Sequence, residues 1–195
     1  MARVHGAEMK RRSSHELSGL EIERKFLVAN DGWKGSVVRQ VRIRDGLIAS
    51  NKGNKARVRI ADNVATVALK SQKRGIVRTE FEYPIPCRDA EEILRVMCDG
   101  NVLDKVRHFV RHESNFWQVD VYEGLLKGVV LAEIEITDID QKLTIPDWIG
   151  AEVSTDPTYR KANMVAARRS DRPGGQDTPP PQNSSISSLS PDNRL

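Results

Sequence analysis

Eight short segments of this chain are dominated by a period of two, and seven of them set charged residues on one face against apolar residues on the other. Strand side chains point alternately to opposite faces, so the pattern predicts β-strands over 20–28, 37–43, 55–61, 64–70, 77–84, 104–111, 116–122 and 129–137. Glu21, Glu23 and Lys25 oppose Ile22, Phe26 and Val28. Arg57 and Arg59 oppose Val58 and Ile60, and Lys70 opposes Val67 and Leu69. Arg78, Glu80 and Glu82 oppose Thr79, Phe81 and Tyr83. Lys105 and Arg107 flank Val106, Asp120 lies between Val119 and Val121, and Glu133 and Glu135 alternate with Ala132, Ile134 and Ile136. Asp62-Asn63 marks a tight turn, and Gly124 and Gly128 bracket the loop before the last strand.

Two stretches read as helices. One spans about 89–99, with Asp89 as cap, Ile93, Leu94 and Met97 on one face and Gly100 after it. The other spans about 157–169, with Asp156 as cap and Pro157 at its first position. Eight strands with few helices predict an α+β, mainly β chain: an antiparallel sheet that closes, or nearly closes, on itself.

One solvated face per strand would account for any single segment. For the set, two features argue otherwise. The opposing faces carry Val, Ile, Phe and Tyr that need covering, and only two helices are available. The charged faces also contain little Ser, Asn or Gln. A closed barrel with a charged lumen explains both, provided its acids and bases are paired or ligated, because an isolated buried charge is costly. Crowded carboxylates suit a hard divalent cation, Mg²⁺ or Mn²⁺. Clustered Arg and Lys suit phosphate oxygens. Together they describe a site for a metal–polyphosphate complex.

Composition limits the alternatives. The 195 residues are 38% hydrophobic and 30% charged, with a net charge of +4 from 31 basic and 27 acidic residues. That surplus does not specify a nucleic-acid binder. No apolar run of eighteen residues predicts a membrane span, and the polar, basic start lacks a signal-peptide core. Cys87 and Cys98 suggest reduced thiols, and a cytoplasmic location follows. A basic arm over 1–18 and a Pro-, Ser- and Gly-rich tail over 170–195 are expected to be disordered, leaving one domain over 19–169.

The order of these motifs resembles a known family. Glu21-Ile22-Glu23-Arg24-Lys25 resembles the ExExK opening of the CYTH domain, the triphosphate tunnel metalloenzymes. Arg57-Val58-Arg59, Leu69-Lys70, Arg78-Thr79-Glu80-Phe81-Glu82 and Lys105-Val106-Arg107 resemble its following basic and mixed strands. Trp117-Gln118-Val119-Asp120, Glu133-Ile134-Glu135 and Trp148-Ile149-Gly150-Ala151-Glu152-Val153 resemble its closing elements.

The resemblance implies an eight-stranded antiparallel tunnel with a few flanking helices, binding a triphosphate substrate with divalent metal. It implies Glu21, Glu23, Glu133 and Glu135 as metal ligands, with Glu82 and Asp120 near them. It also implies Lys25, Arg57, Arg59, Lys70, Arg78, Lys105 and Arg107 as the triphosphate cradle, with Lys25, Glu133 and Glu135 catalytic. The expected reaction is hydrolysis of inorganic triphosphate to pyrophosphate and phosphate, with a homodimer as an admitted assembly. The same fold also admits a class IV adenylate cyclase, a thiamine or nucleoside triphosphatase, and a non-catalytic polyphosphate-binding module. Arg42, Thr158 and Lys161 depart from the family pattern. They leave open whether Arg42 adds a phosphate contact and what the last helix contributes.

Overall fold

The computed structural model describes residues 19–98 and 100–170. The arm expected over 1–18 and, but for Ser170, the tail lie outside the described residues. Nine antiparallel strands are described: β1 (Leu20–Val28), β2 (Val37–Asn51), β3 (Asn54–Ala61), β4 (Val64–Lys70), β5 (Val77–Ile85), β6 (Val102–His112), β7 (Asn115–Tyr122), β8 (Val130–Ile136) and β9 (Ile149–Glu152). Two α-helices join them, α1 (Cys87–Met97) and α2 (Lys161–Ser170). Neighbours run β5-β4-β3-β2-β6-β7-β8-β1, and β5 then pairs with β1, closing an eight-stranded barrel.

Tight turns set much of the register. Ala61 faces Val64 across Asp62-Asn63, with Asp62 at φ 51, as the sequence predicts. Asn51 faces Asn54 across Lys52-Gly53, whose φ values of 47 and 84 are those of a two-residue hairpin loop. This second turn extends β2 to Asn51, well beyond the expected end at 43.

The barrel closes through a short contact. Only Leu20, Glu21 and Ile22 pair with β5, at Thr79, Arg78 and Val77. Farther along, β1 is met by β9, with Phe26 opposite Glu152 and Val28 opposite Ile149. β9 has no counterpart among the eight predicted strands: a four-residue segment is too short to display a period of its own. It takes up backbone groups of β1 that β5 leaves free, and the Val153 amide continues the ladder by donating to the Lys25 carbonyl at 2.8 Å.

Two apolar clusters lie outside the barrel wall, as the inverted alternation requires. Trp33 and Trp148 cover Ile22, Phe26, Trp117, Val119 and Ile134 on one side. On the other, Ala90, Leu94 and Cys98 cover Val58, Ile60 and Ala65. A third cluster is internal. Leu103, Tyr122 and Leu131 share the face of Lys105, Asp120 and Glu133, and pack with Leu126, Val153, Met164 and Val165. An apolar plug, backed by α2, therefore closes one end of the charged lumen.

The helices differ from their expected bounds. α1 begins at Cys87, Pro86 occupies the cap without a side-chain bond, and Asp89 sits in the first turn. The last helix divides into two parts. Asp156 caps a 3-10 turn over Pro157–Tyr159, Arg160 is extended, and α2 starts at Lys161. No described helix is long and apolar enough to cross a membrane.

Candidate active site

The charged faces converge on one cavity of about 1430 Å³. All of the expected site residues line it except Lys105 and Asp120, which share the lumen face but are fully buried beneath Arg107. Arg42 is exposed on the outer face, with Arg44, and adds nothing to the lumen.

The side chains form three stations along the tunnel. In the first, Arg107 donates to both Asp120 oxygens at 2.7 Å and to Glu133 Oε2 at 2.7 Å. Lys25 Nζ lies 3.1 Å from Glu133 Oε1, and Lys105 is paired to Asp120. Burial alone would raise the Glu133 carboxyl, but Lys25, Arg107 and Lys105 outweigh it and hold it well below the usual carboxylate range. Burial opposes the charge of Lys25, and Glu133 and Glu23 overcome that and raise its pKa.

The second station centres on Asp45, which lies outside the expected set. Arg57 Nε donates to its Oδ1 at 2.6 Å, Arg59 Nη2 reaches Oδ2 at 3.3 Å, and Lys161 Nζ reaches Oδ2 at 3.0 Å. Burial pushes Asp45 up, and Lys161, Arg57 and Arg59 together drive it well below its usual value. Burial pulls Lys161 the other way, well below the ordinary lysine range, despite Asp45. The departure at 161 thus places a cation from α2 against the cradle arginines. Thr158, by contrast, is exposed, and its backbone amide serves the Asp156 cap.

The third station gathers Glu21, Glu23, Glu80, Glu135, Lys70 and Arg78. Arg78 Nη2 donates to Glu21 Oε1 at 2.9 Å, and Lys70 is paired to Glu80. Lys73 Nζ lies 3.4 Å from Glu23 Oε1, while Arg59 Nη1 reaches Glu82 at 3.8 Å. Glu135 faces Glu23 across the β1–β8 ladder and has no ion-pair partner within 4.0 Å among the described residues. Desolvation, then the charges of Glu21 and Glu23, raise its pKa.

A divalent cation fits this third station by its chemistry. Glu135 feels the charges of Glu21 and Glu23 and has no ion-pair partner of its own among the described residues, and a hard ion would relieve that repulsion. Among the described residues no three carboxylates, histidines or thiols stand together as a ready ligand set, because Glu21, Glu23 and Glu133 are turned toward their basic partners.

Parity could have found Asp45: Val41, Ile43 and Asp45 are all buried on the inner side of β2, once that strand is carried past 43. Lys73, in the loop after β4, and Lys161, at the start of α2, carry no period-two signal.

Comparison with known proteins agrees with this geometry. The CYTH domain family model matches residues 19–168. The chain belongs to the CYTH domain family. An inorganic triphosphatase of Acetivibrio thermocellus is 40% identical over 147 residues, covering 75% of this CYTH protein and 94% of the relative. The crystal structure of the inorganic triphosphatase NE1496 superposes with a TM-score of 0.56 at 28% identity, covering 74% of this chain and 93% of that one.

Proposed function

We propose that this CYTH protein is a divalent-metal-dependent hydrolase that cleaves inorganic triphosphate to pyrophosphate and orthophosphate, and that it works in the cytoplasm. The observation that carries the reading is a lumen whose bases and acids are held against each other in one enclosed space. Such bases already point inward, and a polyphosphate can replace carboxylates as their partner with little reorganisation. The names of the relatives support inorganic triphosphate as the substrate.

In this reading Arg57, Arg59, Lys70, Arg78 and Arg107 hold the phosphate oxygens. Lys25, kept protonated by Glu133, places a point charge at the reacting phosphoryl group. Lys105 and Asp120 act from beneath the lining by fixing Arg107, which narrows the roles expected for them from sequence. Mg²⁺ or Mn²⁺, taken by Glu21, Glu23, Glu133 and Glu135 with Glu82 nearby, supplies when bound charge neutralisation and a lowered pKa for the attacking water. Water oxygen forms a bond to the terminal phosphorus, the P–O bond to the central phosphate breaks, and pyrophosphate leaves. Little covalent chemistry falls to the protein, so positioning and electrostatics carry most of the rate.

A phosphate-release panel tests this. Triphosphate, ATP, thiamine triphosphate and pyrophosphate are each incubated with Mg²⁺, Mn²⁺ or Ca²⁺. Orthophosphate release fastest from triphosphate supports the proposal. Cyclic AMP as the main product from ATP, or tight binding with no release under any metal, overturns it.

A further inference from the structure

The tunnel's ion pairs leave one place uncompensated. Lys25, Arg57, Arg59, Lys70, Lys73, Arg78, Arg107 and Lys161 each have a carboxylate within 4.0 Å. Lys55 and Arg160 line the same cavity, and among the described residues neither has such a partner. Lys55 is half-buried on β3, with the same parity as Arg57 and Arg59. Desolvation lowers its pKa, and the charges that press on it most are all cationic: Arg57, Arg78, Arg160 and Lys25. Arg160, which is exposed, lines the same cavity from the extended residue between the 3-10 turn and α2.

A fold that neutralises its other tunnel bases and leaves two together holds a standing positive potential at that point, which an anion would satisfy. Lys55, Arg57 and Arg59 also form a ladder, each step about 6–7 Å along the strand. Lys55 extends that ladder one step beyond the cradle arginines. Lysine supplies a compact charge and arginine a planar fork, a pair suited to one phosphate group.

We infer that Lys55 and Arg160 form an additional anion subsite for a phosphate unit beyond the third, so that the tunnel takes linear tetraphosphate as well as triphosphate. This rests on the triphosphate reading above.

Calorimetric titration of the full chain in metal-free, low-salt buffer separates the two ideas, using sodium triphosphate and sodium tetraphosphate. The wild-type protein should bind tetraphosphate more tightly. Lys55→Met and Arg160→Gln should each narrow that preference by about tenfold, the worth of one charge-assisted contact. Arg42→Gln removes the same charge from the outer face and should leave the preference intact. Lys55→Met should also raise the melting temperature of the ligand-free protein, since it removes an unpaired, repelled cation, and that melt shows the variant to be folded. Equal loss of affinity for both ligands in Lys55→Met and Arg160→Gln, or no tetraphosphate preference in the wild type, overturns the subsite. Both ligands bound with that preference but no phosphate released on adding metal would sink the hydrolase reading and leave the subsite standing.

Discussion

At the residue scale, Glu133 and Glu135 show how similar carboxylates on one strand acquire different tasks. Glu133 is buried between Lys25 and Arg107 and stays ionised; Glu135, two residues on, is open to the tunnel and feels Glu21 and Glu23 more strongly than it feels Arg107. Glu133→Gln is expected to lower metal-dependent kcat by about 100-fold, in the range for losing one organised electrostatic contact. Steady-state phosphate release measures it. Lys70→Met should act mainly on KM, by about tenfold or more, because its loss weakens the hold on substrate. For Glu135 the sign is opposite to that of most carboxylates. Its folded pKa is raised, so the native state keeps the proton longer than the unfolded chain does. Its contribution to stability therefore falls as pH rises through that pKa, from about pH 4.5 upward. Glu135→Gln should flatten this decline in the metal-stripped protein, as read from melting temperature against pH, while lowering metal-dependent turnover.

At the scale of elements, α1 shows how a covering helix is seated. Its Leu94 and the following Cys98 press on β2 at Gly46, where an added Cβ would lie 2.5 Å from Cys98 Sγ and 2.7 Å from Leu94 Cδ2. Glycine is required there for close approach. Gly46→Ala should lower the urea midpoint, with a cost of about 1–3 kcal/mol from overpacking. The same cover explains why so few helices suffice. α1 handles one apolar wall, Trp33 on a 3-10 helix and Trp148 in a turn handle another, and α2 backs the apolar plug of the lumen. The strand periods anticipate the first need for cover, but they do not show that Trp33 and Trp148 supply the second.

For the whole molecule, the controlling quantity is the balance of charge within the closed barrel. Asp45 compensates three cations from two distant parts of the chain. Asp45→Asn should destabilise the free protein by about 3–5 kcal/mol, the usual result of removing one partner from a buried ionic group. Added triphosphate should then raise the variant's melting temperature more than the wild type's, because the polyanion replaces the missing charge. Asp45 and Glu133 have depressed pKa values, so the stability they contribute is present above about pH 4 and is lost as pH falls through their folded values. A melting curve that does not weaken in acid would contradict that assignment.

The alternation of Glu21, Glu23, Lys25, Arg57, Arg59, Glu133 and Glu135 was legible because a strand sorts its side chains locally, at every second residue. From the sequence alone came eight of the nine strands, their charged face and the barrel class. Closure decided the rest: β9 on the edge of β1, Asp45 among three cations, Lys105 and Asp120 buried beneath Arg107, and Lys55 and Arg160 without partners among the described residues. Each of these depends on which distant strands become neighbours, and that is settled only when the sheet meets itself.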